Sequence, residues 1–319
     1  MRIFALVAAL VLGGLLSGVA AAQYPSKPLR LICPFPAGGP ADISARNIAA
    51  ALSNALGQPV IVDNKAGADG LIAAQEVKRS PADGYTIFWG SASSLSYVPV
   101  VRKQPPYDPL TDFTPLTQLG AATFILTVHP SVNVTSARQL IDYLKANPGK
   151  LSYGSANTTS ILLMAQLMVF TNSDAVHVPY RGEAQAIPDL AAGRIQFMYA
   201  TPGPSLPLVK EGRLRSLAVA LPQRSALAPD VPTIAEAGYP LASISGWIGF
   251  VAPAGLPADI TQRLARELNA VLAGPEVRAQ HDRLGFAIRS SSPAEFAKFM
   301  KEQLEIWRSA VREAKIPHE

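Results

Sequence analysis

Short apolar runs alternate with longer amphipathic stretches along most of this chain, and the alternation restricts the folds open to it. We expect strands at 29–33, 60–62, 85–89, 124–128, 151–153, 175–178, 195–199 and 214–219. Helical periodicity predicts helices between them at 41–56, 70–79, 137–146, 161–170 and 184–191. This order indicates an α/β fold with parallel sheets, in which ligands bind where strands lead into helix N-termini.

The first 22 residues have the organisation of a secretory signal peptide. Arg2 gives a positive start, an apolar run covers 3–16, and alanines at 20–22 form a small-residue cleavage site before Gln23. No later stretch approaches the about 18 uninterrupted apolar residues that a membrane span needs. We therefore expect a protein that is exported, soluble and periplasmic, with the signal peptide at 1–22 removed.

The length of the mature chain favours two domains. Its 319 residues leave roughly 300 after the signal peptide, a size at which one hydrophobic core stops growing. The chain has no linker or repeat, so we expect strands that cross between domain one, at 23–127 plus 252–319, and domain two, at 128–251. The C-terminal end is more helical, and a capping box from Ser292 to Glu295 predicts a last helix that ends near Ala314.

Charge and residue types exclude several classes of function. The net charge is +5, and the basic residues are scattered, which argues against nucleic acid binding and suits an anionic ligand. Cys33 is the single cysteine, so an intramolecular disulfide is excluded. The four histidines show no metal-ligand spacing, and we expect neither a metal nor a cofactor. His177 falls in a strand-like run, where a hydrogen-bonded structural role is favoured over a catalytic one.

The sequence carries no recognisable catalytic motif. It has neither a Gly-x-Ser-x-Gly elbow nor a Walker loop, and residues 67–70 lack the full dinucleotide-binding fingerprint. Cys33 would need a neighbouring base to act as a nucleophile, and no spacing suggests one. We therefore expect a binding protein rather than an enzyme. An exported hydrolase stays open as an alternative, because active sites assemble from distant positions.

The most distinctive local motif is PFPAGGPADISAR at 34–46. Pro40 suits the first turn of a helix, and Gly38 and Gly39 let the backbone approach a ligand closely. A helix that begins directly after such a turn presents N–H groups and the positive end of its dipole to an anion. We expect a valine at Gly39 to block this anion seat and to conflict with a positive φ. A plain strand-to-helix turn is the alternative.

Four further polar loops follow predicted strands, at 90–94, 154–160, 180–182 and 200–203. In the second of these loops Thr158 or Ser160 would cap the following helix, which is the structural alternative to ligand binding. Arg181 is a rival source of countercharge for an anion. Several such loops that converge at strand ends favour an anion-binding cleft.

Short motifs in a fixed order extend over essentially the whole mature chain. They are YPSKP at 24–28, PFPAGG at 34–39, DNKAG at 63–67, PADGY at 81–85, PYDPL at 106–110, NPGKLSYG at 147–154, VPYRG at 178–182, LAV at 217–219, DVPT at 230–233, EAG at 236–238 and PAGLP at 253–257. With these motifs the chain resembles the substrate-binding proteins of tripartite tricarboxylate transporters, the Bug (TctC-like) family. The resemblance implies an α/β, two-domain fold like that of type II periplasmic binding proteins. Each domain would be a mostly parallel sheet flanked by helices, and the two would close like a Venus flytrap on a ligand in the cleft.

The resemblance also implies which residues bind the ligand. The domain-one side would hold one carboxylate with backbone amides and ordered water, and consists of Phe35, Ala37, Gly38, Gly39, Asp42, Ser91 and Ser93. The domain-two side would hold the other with amides and hydroxyls, and consists of Ser155, Asn157, Thr158, Thr159, Tyr180, Gly182, Ala200 and Thr201. Ala200 stands where many relatives carry an acid, which favours a plain carboxylate over an amino acid.

We interpret the sequence as that of a receptor for a small organic carboxylate, either a dicarboxylate or an aromatic carboxylate. It would act as a monomer without catalysing a reaction. Its partners would be the membrane components of a tripartite tricarboxylate transporter, to which it delivers the ligand. A receptor that serves a sensor kinase is the first alternative, and the exported hydrolase is the second.

Overall fold

The computed structural model describes residues 24–221, 223–239, 244, 246–314 and 316–318. The predicted signal peptide at 1–22 lies outside these residues. The described chain forms two lobes, each a β-sheet with helices packed against it, and a cavity lies between them. None of the described helices is both long enough and apolar enough to cross a bilayer.

Strands and helices alternate through most of the described chain, as the sequence predicts. The strands are β1 (Leu29–Cys33), β2 (Val60–Asn64), β3 (Thr86–Ser91), β4 (Phe113–Ala122), β5 (Ile125–Val128), β6 (Ser152–Ser155), β7 (Val176–Pro179), β8 (Phe197–Ala200), β9 (Arg215–Val219), β10 (Gly246–Pro253) and β11 (Phe286–Ile288). The helices are α1 (Pro40–Leu56), α2 (Leu71–Arg79), α3 (Val98–Val101), α4 (Ala137–Ala146), α5 (Thr158–Thr171), α6 (Glu183–Ala191), α7 (Pro202–Lys210), α8 (Ala258–Ala273), α9 (Pro275–Leu284) and α10 (Pro293–Glu313).

Three strands of the structure, β4, β10 and β11, have no counterpart in the sequence prediction. Pro115 and Gly120 interrupt the apolar pattern of β4, and Gly249 interrupts that of β10. Proline and glycine are unfavourable inside strands, so such segments do not resemble strands when read locally. β11 has only three residues, which is too short for periodicity to show.

Both sheets are mixed rather than mostly parallel as expected. The first has the order β11-β4-β10-β3-β1-β2, with parallel pairs around β1 and antiparallel pairs around β10 and β4. The second has the order β7-β6-β8-β5-β9, with parallel pairs around β6 and antiparallel pairs around β5. In each sheet the strand that arrives from the other lobe, β10 or β5, pairs antiparallel with both of its neighbours.

The described strands place the chain in the first lobe, then in the second, and then in the first again. β4 ends at Ala122 in the first sheet, and β5 begins at Ile125 in the second. The chain returns after β9, and β10 begins at Gly246 in the first sheet. The predicted domain divisions at 127/128 and 251/252 fall inside β5 and β10. Two crossings suit a hinge motion of the lobes rather than free tumbling.

The first lobe packs α10 against the sheet through large apolar side chains. Trp247, Phe296 and Trp307 are all fully buried there. The capping box predicted for this helix is present, because the Ser292 hydroxyl accepts the Glu295 N–H and the Glu295 carboxylate accepts the Ser292 N–H. The helix therefore begins where the sequence predicts.

Candidate functional site

A cavity of about 190 Å³ lies between the two lobes. The first lobe contributes Phe35, Pro36, Ala37, Gly39, Pro40, Ala41, Trp89, Ser91, Ala92, Ser93, Ala122, Gly246, Trp247, Ile248 and Phe286. Phe124 lines it from the crossing between the sheets, and the second lobe contributes Ala156, Asn157, Thr159, Gly182, Glu183, Ala184, Gln185 and Thr201. The cavity therefore has walls from both sheets, as a ligand cleft between two domains requires.

Four α-helices of the described chain begin at this cavity. Gly39, Asn157, Gly182 and Thr201 are the N-cap residues of α1, α5, α6 and α7, and all four line it. The first N–H groups of a helix have no acceptor within the helix and form the positive end of its dipole. Helix N-termini from both lobes therefore meet at one cavity, which suits an anion.

Asp42 holds the first-lobe turn in shape. Its carboxylate accepts the Gly38 N–H at 2.9 Å, the Arg46 Nε–H at 3.0 Å and an Asn64 amide N–H at 2.9 Å. Burial acts to raise the pKa of Asp42, but the hydrogen bonds from its donors outweigh burial and lower that pKa. Asp42 stays ionised inside the turn and does not line the cavity.

The two glycines of this turn differ in conformation. Gly38 has a left-handed φ of 83°, whereas Gly39 has a φ of −84°. The expectation that Gly39 needs a positive φ is therefore wrong. The residue of this turn with a positive φ is Gly38. Gly39 is the N-cap of α1 and precedes Pro40 at the first helical position, which confirms the predicted helix start.

Asn157 caps α5 in the second lobe, so the predicted caps Thr158 and Ser160 are wrong. The backbone of Asn157 is extended, and its side-chain oxygen accepts the Ser160 N–H at 2.9 Å. The Ser160 hydroxyl in turn accepts the Asn157 N–H at 3.3 Å, which completes a capping box. Asn157 takes the role because its extended backbone lets its side-chain oxygen accept the N–H of the third helical residue, Ser160.

Thr158 links the two lobes. Its hydroxyl is 3.2 Å from an Asp69 carboxylate oxygen, in a hydrogen bond between the start of α5 and the first lobe. The side chain is fully buried and does not line the cavity. Its contact is therefore with the opposite lobe.

Ser155 and His177 form a hydrogen-bonded pair beside the cavity. The Ser155 hydroxyl and His177 Nε2 are 2.6 Å apart, and the imidazole stacks on Tyr153 with ring centroids 4.9 Å apart. Burial lowers the pKa of His177. Ser155 is buried and absent from the cavity lining. His177 thus has the kind of hydrogen-bonded structural position that the sequence favours.

Glu183 places a carboxylate in the cavity wall that the sequence prediction missed. One of its oxygens accepts the Thr201 N–H at 3.0 Å, and the other accepts the Thr201 hydroxyl. Burial raises the pKa of Glu183 to about 7, although the Thr201 hydrogen bonds act to lower it. Its position directly after the predicted loop at 180–182, next to the start of a predicted helix, is the signal that could have identified it.

The structure brings most of the predicted site residues to the cavity. Those that line it are Phe35, Ala37, Gly39, Ser91, Ser93, Asn157, Thr159, Gly182 and Thr201. Those that lie outside its lining are Gly38, Asp42, Ser155, Thr158, Tyr180 and Ala200. The Tyr180 hydroxyl donates to Asp189 at 2.8 Å, and Ala200 is fully buried at the end of β8. The binding role of the predicted residues stays a prediction, both for those that line the cavity and for those that lie outside its lining.

The profile of the tripartite tricarboxylate transporter family receptors matches residues 44–316 of the chain. The chain belongs to this family. Protein BugT of Bordetella pertussis is 33% identical to the receptor over 307 residues, which cover 94% of this chain and 93% of BugT.

Solved structures agree with the fold of the receptor. Rpa4515 of R. palustris, solved with adipate, is 33% identical with a TM-score of 0.87, and the match covers 92% of the receptor and 99% of that chain. MatC of Rhodopseudomonas palustris, solved with bound malate, is 27% identical with a TM-score of 0.84, and the match covers 90% and 100% respectively. These similarities confirm the two-lobed α/β fold of periplasmic binding proteins.

Aromatic rings form the apolar wall of the receptor's cavity. They belong to Phe35, Trp89, Phe124, Trp247 and Phe286. Trp89 meets Phe35 and Phe286 edge-on, with ring centroids 5.9 Å and 6.3 Å apart. The sequence prediction includes only the first of these rings. The others lie on or beside separate strands and resemble ordinary core residues when each is taken alone.

The polar wall of the cavity contains almost no charge. Among the described residues that line it, Glu183 alone is ionisable, and none is a lysine, an arginine or a histidine. Arg181 is exposed and lies outside the lining. No group of three or more histidine, cysteine or acidic side chains in the described chain is arranged to hold a metal ion. The receptor's groups suited to an anion are therefore backbone N–H groups and hydroxyls.

Proposed function

We propose that this protein is a periplasmic receptor that captures a small organic carboxylate and delivers it to the membrane components of a tripartite tricarboxylate transporter. The observation that carries the proposal is the convergence of helix N-termini from both lobes on one cavity. Backbone N–H groups at helix ends bind carboxylates without a basic side chain.

Hydroxyl and amide groups beside these helix ends support carboxylate binding. Ser91 and Ser93 lie in the first-lobe wall, and Asn157 and Thr159 lie in the second. A hydrogen bond from a neutral donor to a charged acceptor contributes about 1.5–3 kcal/mol. A few such bonds from both lobes suffice for specific capture of one carboxylate group.

The ligands of two structural relatives support the same class of ligand. Rpa4515 was solved with adipate and MatC with malate, and both molecules are small organic carboxylates. Membership of a transporter receptor family supports delivery to a membrane partner. The signal-like sequence at 1–22 supports export to the periplasm.

The geometry supports binding without chemical conversion. Three serine–histidine pairs are hydrogen-bonded in the described chain: Ser155 with His177, Ser44 with His281, and Ser131 with His129. None of these residues lines the cavity. A nucleophile must reach the substrate, so a ligand in the cavity lies out of reach of all three pairs.

The test is to identify the ligand and to follow its fate. Mass spectrometry of small molecules released from denatured, freshly purified protein should find an organic carboxylate. Calorimetry with a panel of carboxylates should show one-to-one binding, and the ligand should be recovered unchanged. Chemical conversion of a tightly bound ligand, or no binding by any member of the panel, would contradict the proposal.

A further inference from the structure

Glu183 is an acidic residue in a cavity that otherwise suits anions. Its side chain is 6% exposed, and both of its oxygens accept hydrogen bonds from Thr201. Thr201 is the N-cap of α7, so its N–H and hydroxyl are donors of the kind that a ligand carboxylate takes at a helix end. The protein's own carboxylate therefore occupies one of the anion positions of the second lobe.

The charge of Glu183 has no partner of opposite sign in the cavity. The described lining contains no basic side chain. Burial raises the pKa of Glu183 to about 7, so the group is mostly ionised at about pH 8. Like charges a few ångströms apart repel each other much more strongly in a desolvated site than in water. A ligand carboxylate placed at this end of the cavity would meet that repulsion.

We propose that Glu183 restricts the receptor to monocarboxylates. The single carboxylate of the ligand binds helix ends and hydroxyls away from Glu183, and its apolar body packs against the aromatic wall. The end that faces Glu183 is uncharged and can donate a hydrogen bond to it. This inference rests on the proposed function and narrows its ligand class, because a dicarboxylate is rejected by charge rather than by size.

The test compares ligands that differ only in a second carboxylate: benzoate with terephthalate, and hexanoate with adipate. Calorimetry uses the mature protein after dialysis into ligand-free buffer at about pH 8. In at least one pair, the monocarboxylate should bind at least about tenfold more tightly than the dicarboxylate. This comparison uses the unmodified protein and does not depend on how any variant folds.

The variant Glu183→Gln removes the charge and keeps the shape of the side chain. The ratio of the two dissociation constants should move toward the dicarboxylate by at least about tenfold. Monocarboxylate affinity should change much less, because its carboxylate lies at the other end of the cavity. Glu211→Gln is the matched control, since Glu211 lies at the far end of α7, exposed and outside the cavity lining, and should leave the ratio unchanged.

The outcomes separate the two proposals. If the unmodified protein binds the dicarboxylates as tightly as the monocarboxylates, or if Glu183→Gln leaves the ratio unchanged, the role of Glu183 is wrong and carboxylate capture stands. If none of the four probes and no carboxylate of the wider panel binds, the proposed function itself is overturned, and the inference with it.

Discussion

Glu183 couples the stability of the folded protein to pH at the level of a single residue. Its pKa is raised by burial from the ordinary value of 4.5 to about 7, even though hydrogen bonds from Thr201 oppose the shift. Between these two pH values the folded state holds a proton that the unfolded chain has released. The contribution of this bound proton to the unfolding free energy is therefore full below about pH 4.5 and is lost as the pH rises through about 7.

We predict that Glu183→Gln removes this pH dependence. The unfolding free energy of the unmodified protein should fall, relative to that of the variant, by roughly 3 kcal/mol between about pH 4.5 and about pH 8. Urea unfolding at a series of pH values measures the difference. The exposed control Glu211→Gln should follow the unmodified protein. If the unfolding free energies of the unmodified protein and of Glu183→Gln changed with pH in parallel, the result would contradict the burial of an ionisable group at this site.

At the scale of elements, the start of α5 combines folding and binding in one residue. Asn157 caps the helix through the Ser160 N–H and also lines the cavity. An aspartate at this position keeps the capping oxygen but adds a negative charge to the cavity. An alanine removes the cap without adding charge. The two substitutions therefore separate the stability of the helix from the electrostatics of the cavity.

We predict that Asn157→Ala lowers the unfolding free energy by about 1 kcal/mol, the usual contribution of an N-cap. Asn157→Asp should keep the stability of the unmodified protein, because aspartate caps as well as asparagine. It should nevertheless weaken binding of the tightest carboxylate of the panel through charge repulsion. Urea unfolding and calorimetry measure the two effects. If both variants lost the same amount of stability, the capping hydrogen bond would not be the interaction through which Asn157 stabilises the protein.

At the scale of the whole molecule, the two lobes are in contact across the cleft. The Thr158 hydroxyl reaches Asp69 of the first lobe at 3.2 Å. A side-chain carbon placed on Gly182 would lie 3.7 Å from the Pro36 ring, so the loops of the two lobes nearly touch. These contacts join the two lobes beside the cavity. A hinge at the two crossings would open the cleft when the ligand leaves.

We predict that a saturating carboxylate ligand lowers the radius of gyration in small-angle scattering. Thr158→Ala should weaken binding by about tenfold or more, because it deletes the hydrogen bond from its hydroxyl to the Asp69 carboxylate that joins the two lobes. Arg181→Ala, at an exposed position outside the cavity lining, is the control and should bind normally at the same salt concentration. A scattering profile that ligand leaves unchanged, or loss of binding in the arginine variant alone, would contradict this account.

The sequence by itself determined the features that depend on neighbours within a few residues. Pro40 begins α1 and Ser292 caps α10 because cap and first-turn preferences act over a single helical turn. The alternation of strands and helices follows from local periodicity in the same way, and so does the expectation that polar loops meet at strand ends. These local features were enough to indicate the α/β class and the position of the cleft.

Only the tertiary structure decided which polar groups face the cavity and which pair with one another. Local sequence cannot specify that Glu183 meets Thr201, that Thr158 meets Asp69, or that aromatic rings from separate strands form one wall. β4 and β10 were missed because their pairing stabilises segments that carry proline or glycine. The physical reason is the same in each case: the direction of a side chain and its partner depend on contacts between segments far apart in the chain, and periodicity carries no information about them.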